Sequence, residues 1–239
     1  LPVLCDSLLF VARRQSGNRI HFGTSTLMIL LQTLTQTPSV PGREDRIRKV
    51  IQDYIIQENL FDEVSVDAMG SLIGVRKARR SQGTPETKPV RVMLAAHMDQ
   101  IGFLVRHIDE NGYLRVNPVG GFDARNLFAR KVRVCCSSGD LPGIMNASGK
   151  PIHIASEADK KKIPEVTEFF LDLGLSAEQV KAKVVIGDMV VLDGPFEEVG
   201  NSVASQCLDN RIGCWAQIRA IENLRSHSCD IYAVWTVQE

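Results

Sequence analysis

The chain has 239 residues, 44% of them hydrophobic and 23% charged, enough to bury one large core or two modest ones. Lys and Arg together number 28, as do Asp and Glu, so the formal net charge is zero, which argues against a general nucleic-acid or anionic-membrane binder. No stretch approaches the roughly 18 uninterrupted apolar residues of a membrane span, and no transmembrane segment is expected.

Residues 1–27 begin without Met, hold Asp6 inside their apolar part and place Arg13 and Arg14 after it, the reverse of a secretory signal. We read them as an extension, upstream translation or a poorly ordered arm, outside the native fold. From Met28 to Gln36 the pattern predicts a short helix, broken by the prolines and glycine of TPSVPG (37–42). Ile47, Val50, Ile51, Tyr54 and Ile55 recur at three- and four-residue spacing and predict a second, amphipathic helix. VSVDAMGSLIGVRKA reads as two strands around a Met69–Gly70 turn, and RRSQGTPETK (79–88) as a polar loop. VRVMLAAH (90–97) is a continuous β-prone run and predicts a central strand covered on both faces.

Beyond Ile101 the texture changes. As far as Pro195, short β-prone runs alternate with turns: IGFLVRHI, GYLRVNPV, KVRVCC, PIHIA and DMVVL. That is the pattern of a small all-β domain. Gly120–Gly121 suits a turn, and His107 and His153 read as structural. One amphipathic piece, SAEQVKAKV, opens on a Ser176 cap. After Pro195 a helix is expected over 209–225, with Ile212, Trp215, Ile218 and Leu224 on it, and CDIYAVWTV (229–237) reads as a second buried strand. The expected architecture is an α/β domain in two parts, 28–101 and 196–239, interrupted by a β insert at 102–195.

The six cysteines form no CxxC pair, and Cys135 and Cys136 are adjacent. They read as reduced thiols of a cytoplasmic protein. Cys207 and Cys214 flank Asp209, with a spacing that suits buried packing better than metal binding.

Chemistry enters at three points. His97 and Asp99, two residues apart, face one way at the carboxyl end of a strand, where open α/β sheets place ligand sites. A ligating His needs its second nitrogen held by an acceptor, and Asp99 can serve; a satisfied surface His fits the same residues. Asp209 opens a helix in CLDNRIG, either as an N-cap or as a carboxylate bridging two cations. Glu239 follows a buried strand, either simply solvated or placed as a general base beside a metal-bound water.

AAHMDQIGF, HIDENGYLRVNPVGGFD, DLGLSAEQV with VIGDMVV, CLDNRIG and TVQE, in this order and spacing, resemble the glutamyl/TET aminopeptidases. That family of dinuclear metallopeptidases also contains deblocking aminopeptidases and proteins labelled cellulase M. The resemblance runs from about Met28 to the last residue. It implies an α/β metallopeptidase catalytic domain, a mixed sheet flanked by helices, with an inserted β-barrel-like dimerisation domain. It implies His97 as a ligand of one metal, Asp99 as the carboxylate orienting it, Asp209 as the bridging ligand and Glu239 as the catalytic base. It further implies two divalent ions per subunit, zinc or cobalt, peptide substrates, and a homo-oligomer, a dimer or a dodecamer. Of the protein ligands it implies, the 239 residues carry only His97 and Asp209, so we expect an N-terminal portion that is inactive alone. Gln100 stands where Glu is more usual.

Two other readings use the same residues. An endoglucanase-type glycan hydrolase needs two carboxylates flanking the bond, which a His ligand with a bridging Asp suits poorly. A non-catalytic dimerisation module would use the β insert alone.

Overall fold

The computed structural model describes residues 12–13, 26–79, 89–149 and 153–239. Most of residues 1–27 and nearly all of the polar loop lie outside them. The chain divides into two compact units, one built on Ile101–Pro195 and the other on Phe10–Gln100 with Phe196–Glu239. In chain order, the second unit starts with β1 (Ala12–Arg13), α1 (Thr26–Gln36), α2 (Asp45–Gln57), β2 (Glu63–Val66), β3 (Leu72–Arg76) and β4 (Val90–His97). The first unit follows, with β5 (Gly102–Ile108), β6 (Leu114–Val119), β7 (Arg130–Cys136), β8 (Gly139–Ala147), α3 (Glu157–Lys161), β9 (Phe169–Asp172), α4 (Ala177–Lys183) and β10 (Met189–Leu192). The chain then returns with β11 (Glu197–Val199), β12 (Ser202–Ala204), α5 (Leu208–Asn223) and β13 (Cys229–Thr236).

The α/β unit is organised on a sheet of order β2-β3-β13-β4, in which β13 runs antiparallel to β3 and parallel to β4. Ile47, Ile51 and Ile55 form a four-residue repeat along α2 and are fully buried against Leu72, Ile218 and Trp235. Phe61 meets the Trp235 ring edge-on at 5.8 Å. The β2–β3 turn forms because the Asp67 carboxylate accepts the amides of Met69, Gly70 and Ser71. Buried Arg76 donates to the carbonyls of Leu60, Ile221 and Leu224, closing the C-terminal end of α5. A second small sheet joins β1, β12 and β11, so Ala12–Arg13, within the segment read as an extension, pairs with Ser202–Val203.

β4 corrects one expectation. It lies at the edge of its sheet among the described residues, not in the centre, and Val90 and Met93 are 70% and 69% exposed. A run of apolar residues records that a strand is fit to be covered, not which neighbours cover it.

The other unit is a closed barrel of order β10-β5-β6-β9-β8-β7. Residues two apart share a face of a strand, and the pairs Phe103/Val105, Leu114/Val116, Val132/Val134 and Val190/Leu192 all point into its core. α4 starts where expected, on Ser176, which accepts from the Gln179 amide while the Gln179 side chain returns to the Ser176 amide. Of PIHIA, residues 151–152 lie outside the described residues, and residues 153–155 form a turn where a strand was expected, with α3 following. β8 and β9 are additional strands: Pro142 and Gly143 mask β8 in the sequence, yet it pairs with β7 from Gly139 to Met145 and with β9 from Ile144 to Ala147. Among the described residues no helix is long and apolar enough to cross a membrane.

Candidate active site

The four residues singled out above all fall in the α/β unit, at the ends of β4 and β13 and at the start of α5. Parallel pairing sets Thr236 opposite His97, and the Met98 amide donates to the Thr236 carbonyl at 2.9 Å, so the two strands end together. His97 is nearly buried, and its Nε2 faces Asp209 Oδ1 at 3.3 Å and Glu239 Oε2 at 3.4 Å. On the other side Nδ1 lies 3.3 Å from Asp99 Oδ1, an ion-pair contact whose alignment falls short of a hydrogen bond. Asp99 is buried, whereas Asp209 and Glu239 are open to solvent. The imidazole is thus backed by one buried carboxylate and fronted by two exposed ones.

Burial of the imidazole opposes its charge, but Asp99, Glu239 and Asp209 together outweigh burial and raise the His97 pKa above its ordinary value. Burial likewise pushes Asp99 up, and His97 with the Glu239 amide reverses this, leaving its carboxyl below the usual range. Three carboxylates around one imidazole leave the cluster anionic even when His97 is protonated, an electrostatic setting for a cation. The donor types also fit: imidazole nitrogen and carboxylate oxygen are the ligands of zinc and related ions, and a buried acceptor behind the far nitrogen is how a ligating His is held. Among the described residues no three His, Cys, Asp or Glu side chains are disposed to hold an ion by themselves.

Asp209 sits at a kink near the start of α5. It adopts φ −86° and ψ 112°, its peptide to Asn210 is cis, and the regular turns of α5 follow. Gly213 makes this possible, since a Cβ there would collide with the Asn210 side chain and press on Ala96.

Residues 72–239 match the family described as M42 glutamyl aminopeptidase. The chain belongs to the M42 family. The lysyl aminopeptidase of Pyrococcus furiosus is 34% identical over 217 residues, 88% of this chain and 58% of the relative. A solved aminopeptidase from the archaeon Desulfurococcus kamchatkensis is 33% identical at a TM-score of 0.78, covering 89% of this chain and 56% of that one. The Pyrococcus horikoshii TET1 peptidase, described as assembling into a tetrahedron or a large octahedral shell, is 30% identical at a TM-score of 0.74, covering 90% and 62%. The mixed α/β architecture with a closed barrel is the fold of these structures. The chain spans 58% of the length of the Pyrococcus furiosus relative.

Within this M42 chain, the sequence reading passed over the residues that hold the site in place. Arg211, in the same CLDNRIG motif as Asp209, is fully buried and donates to the carbonyls of Leu34 and Thr37 and to Ser39 Oγ. The signal was an arginine two residues from a candidate ligand, and arginine is ordinarily taken for surface. Cys214 meets its expectation of buried packing: its thiol donates to the His97 carbonyl at 3.3 Å, and burial pushes its pKa up to about 12. Iodoacetamide at pH 8 should therefore leave Cys214 unmodified in the folded protein and alkylate it once urea unfolds the chain. Peptide mapping that finds native Cys214 labelled at the rate of a free thiol would contradict the packing.

Proposed function

We propose that this chain builds part of the catalytic centre of a metal-dependent aminopeptidase, which removes N-terminal residues from peptides. The observation that carries the reading is the convergence of Asp209 and Glu239 on His97 Nε2, with Asp99 behind it, in a member of the M42 family. His97 would hold one of two divalent ions, zinc or cobalt, and Asp209 would bridge both. When bound, such ions polarise the attacking water and the scissile carbonyl. Asp99 holds the imidazole in its ligating orientation. Glu239, exposed and directed at the same point, accepts the proton of the water and returns it to the leaving amine.

A zinc site takes about four ligands, and His97 with Asp209 supplies fewer, so the 239 residues alone are expected to be inactive. The barrel unit, set by the resemblance at 102–195, is the surface we assign to self-association, giving a dimer or the dodecamer that the resemblance implies, and the shell-forming TET1 peptidase supports a homo-oligomer. We place the protein in the cytoplasm, a reading supported by the absence of a disulfide among the described residues.

The test is an assay of the protein extended to the length of its relatives, with zinc or cobalt added. Free amino acids should be released from peptides with an open N-terminus, not from acetylated ones, and a chelator should stop the release. The 239-residue chain should release none. Reducing sugar from a β-glucan, without amino acids from peptides, would replace this reading with glycan hydrolysis.

A further inference from the structure

The turn between α1 and α2, residues 37–44, is a helix breaker by sequence, yet it touches each element that carries the candidate site. Ser39 is buried; its hydroxyl donates to the Met98 carbonyl at 3.0 Å and accepts from Arg211 at 2.7 Å. Its carbonyl accepts from the Gln100 amide at 3.3 Å, so Ser39 spans the loop that holds Asp99. Glu44 is more telling. It occupies the N-cap position of α2, where a carboxylate ordinarily accepts the helix's own amides, but it makes no such bond. It is 4% exposed and turns away from its helix, and Oε1 accepts the Gly42 amide at 2.9 Å and the Gln238 amide at 3.1 Å. Gly42, at φ 79°, allows the turn that brings its amide round.

Gln238 needs such a hold. Its φ of 52° lies in the left-handed region, which a residue with a Cβ seldom occupies unless its surroundings impose it. The next residue is Glu239, whose amide lies 3.3 Å from Asp99 Oδ1. Two buried carboxylates on different elements therefore hold successive amides just past the end of β13. We propose that Glu44 is a positioning residue: from within the 37–44 turn it clamps the Gln238 amide and so sets the direction in which Glu239 leaves β13. The consequence for catalysis rests on the reading of Glu239 as the base; the clamp itself does not.

Amide exchange in the metal-free, 15N-labelled 239-residue chain tests the clamp. Glu44→Ala removes a hydrogen bond to a charged acceptor and should speed exchange at Gln238 and Glu239 by about 10- to 100-fold, leaving Ala233 and Val234 in mid-strand within about twofold. Glu44→Gln keeps an acceptor oxygen at the same reach and should restore protection to within about threefold of native. Unchanged exchange at Gln238 and Glu239, equal acceleration along the whole of β13, or no rescue by Gln would each overturn the proposal. If Glu44→Ala does not fold, Glu44→Asp, one methylene short, takes its place in the same comparison with Glu44→Gln. Exchange needs neither metal nor substrate, so a failure of the clamp and a failure of Glu239 as a base are separate results.

Discussion

Glu239→Gln, in the protein extended to the length of its relatives, should lower kcat by about 10²- to 10⁴-fold while metal affinity stays within a few-fold. Gln matches Glu in shape and keeps the backbone amide that approaches Asp99 Oδ1, so the segment after β13 holds its course. What it loses is an oxygen able to take a proton. Titration with zinc or cobalt followed by calorimetry, beside steady-state turnover, separates the outcomes. Retained turnover removes Glu239 from the base role, and lost affinity makes it a ligand instead.

Arg211→Ala should be the most damaging change to stability. The guanidinium is fully buried and serves two carbonyls at the end of α1 and the hydroxyl of Ser39, which in turn reaches the Met98 carbonyl. Truncation strands several buried acceptors at about 1–3 kcal/mol each and opens a cavity, for a total of about 3–5 kcal/mol. The thermal midpoint should fall by on the order of 10 °C. Trp215 and Trp235, the chain's two tryptophans, both lie in the α/β unit, so intrinsic fluorescence follows that unit alone. Arg211→Lys should recover less than half of the loss, because an ammonium cannot reach acceptors in several directions with a planar fork. A midpoint within about 2 °C of native for Arg211→Ala would show that water or a repacked neighbour satisfies those acceptors.

The elements legible in the sequence were those whose own pattern decides them. The 47–55 stripe, the Met69–Gly70 turn, the Ser176 cap and the run ending at Thr236 needed no knowledge of distant residues. His97, Asp99, Asp209 and Glu239 were individually ambiguous and became a group through the order of the motifs around them; the fold then brought all four to one place. What stayed hidden was decided by tertiary partners. Arg211, Gln217 and Arg219 are buried on α5, although residues of their charge and polarity are ordinarily exposed. Arg219 meets its helix neighbours Trp215 and Glu222, but it also lies over the ring of Tyr54 and donates to its hydroxyl, a partner 165 residues away in sequence. Glu44 carries no local signal, because its bond to Gln238 joins residues 194 apart in sequence. The edge position of β4 among the described residues depends on its pairing with β13, which follows more than 130 residues later.

The β13–β4 register has a consequence for how such a chain tolerates changes of length. Eight successive parallel pairs, from Cys229 with Val90 to Thr236 with His97, set the spacing on which the meeting of Glu239 and His97 depends. Losing one residue inside β13 sends every later side chain to the opposite face, taking Trp235 from the core and Glu239 from His97. A residue gained between Ile101 and Pro195 does not enter that register, because both strands lie outside the segment. Changes of length in the barrel unit are judged by that unit's own strand registers, and not by this one.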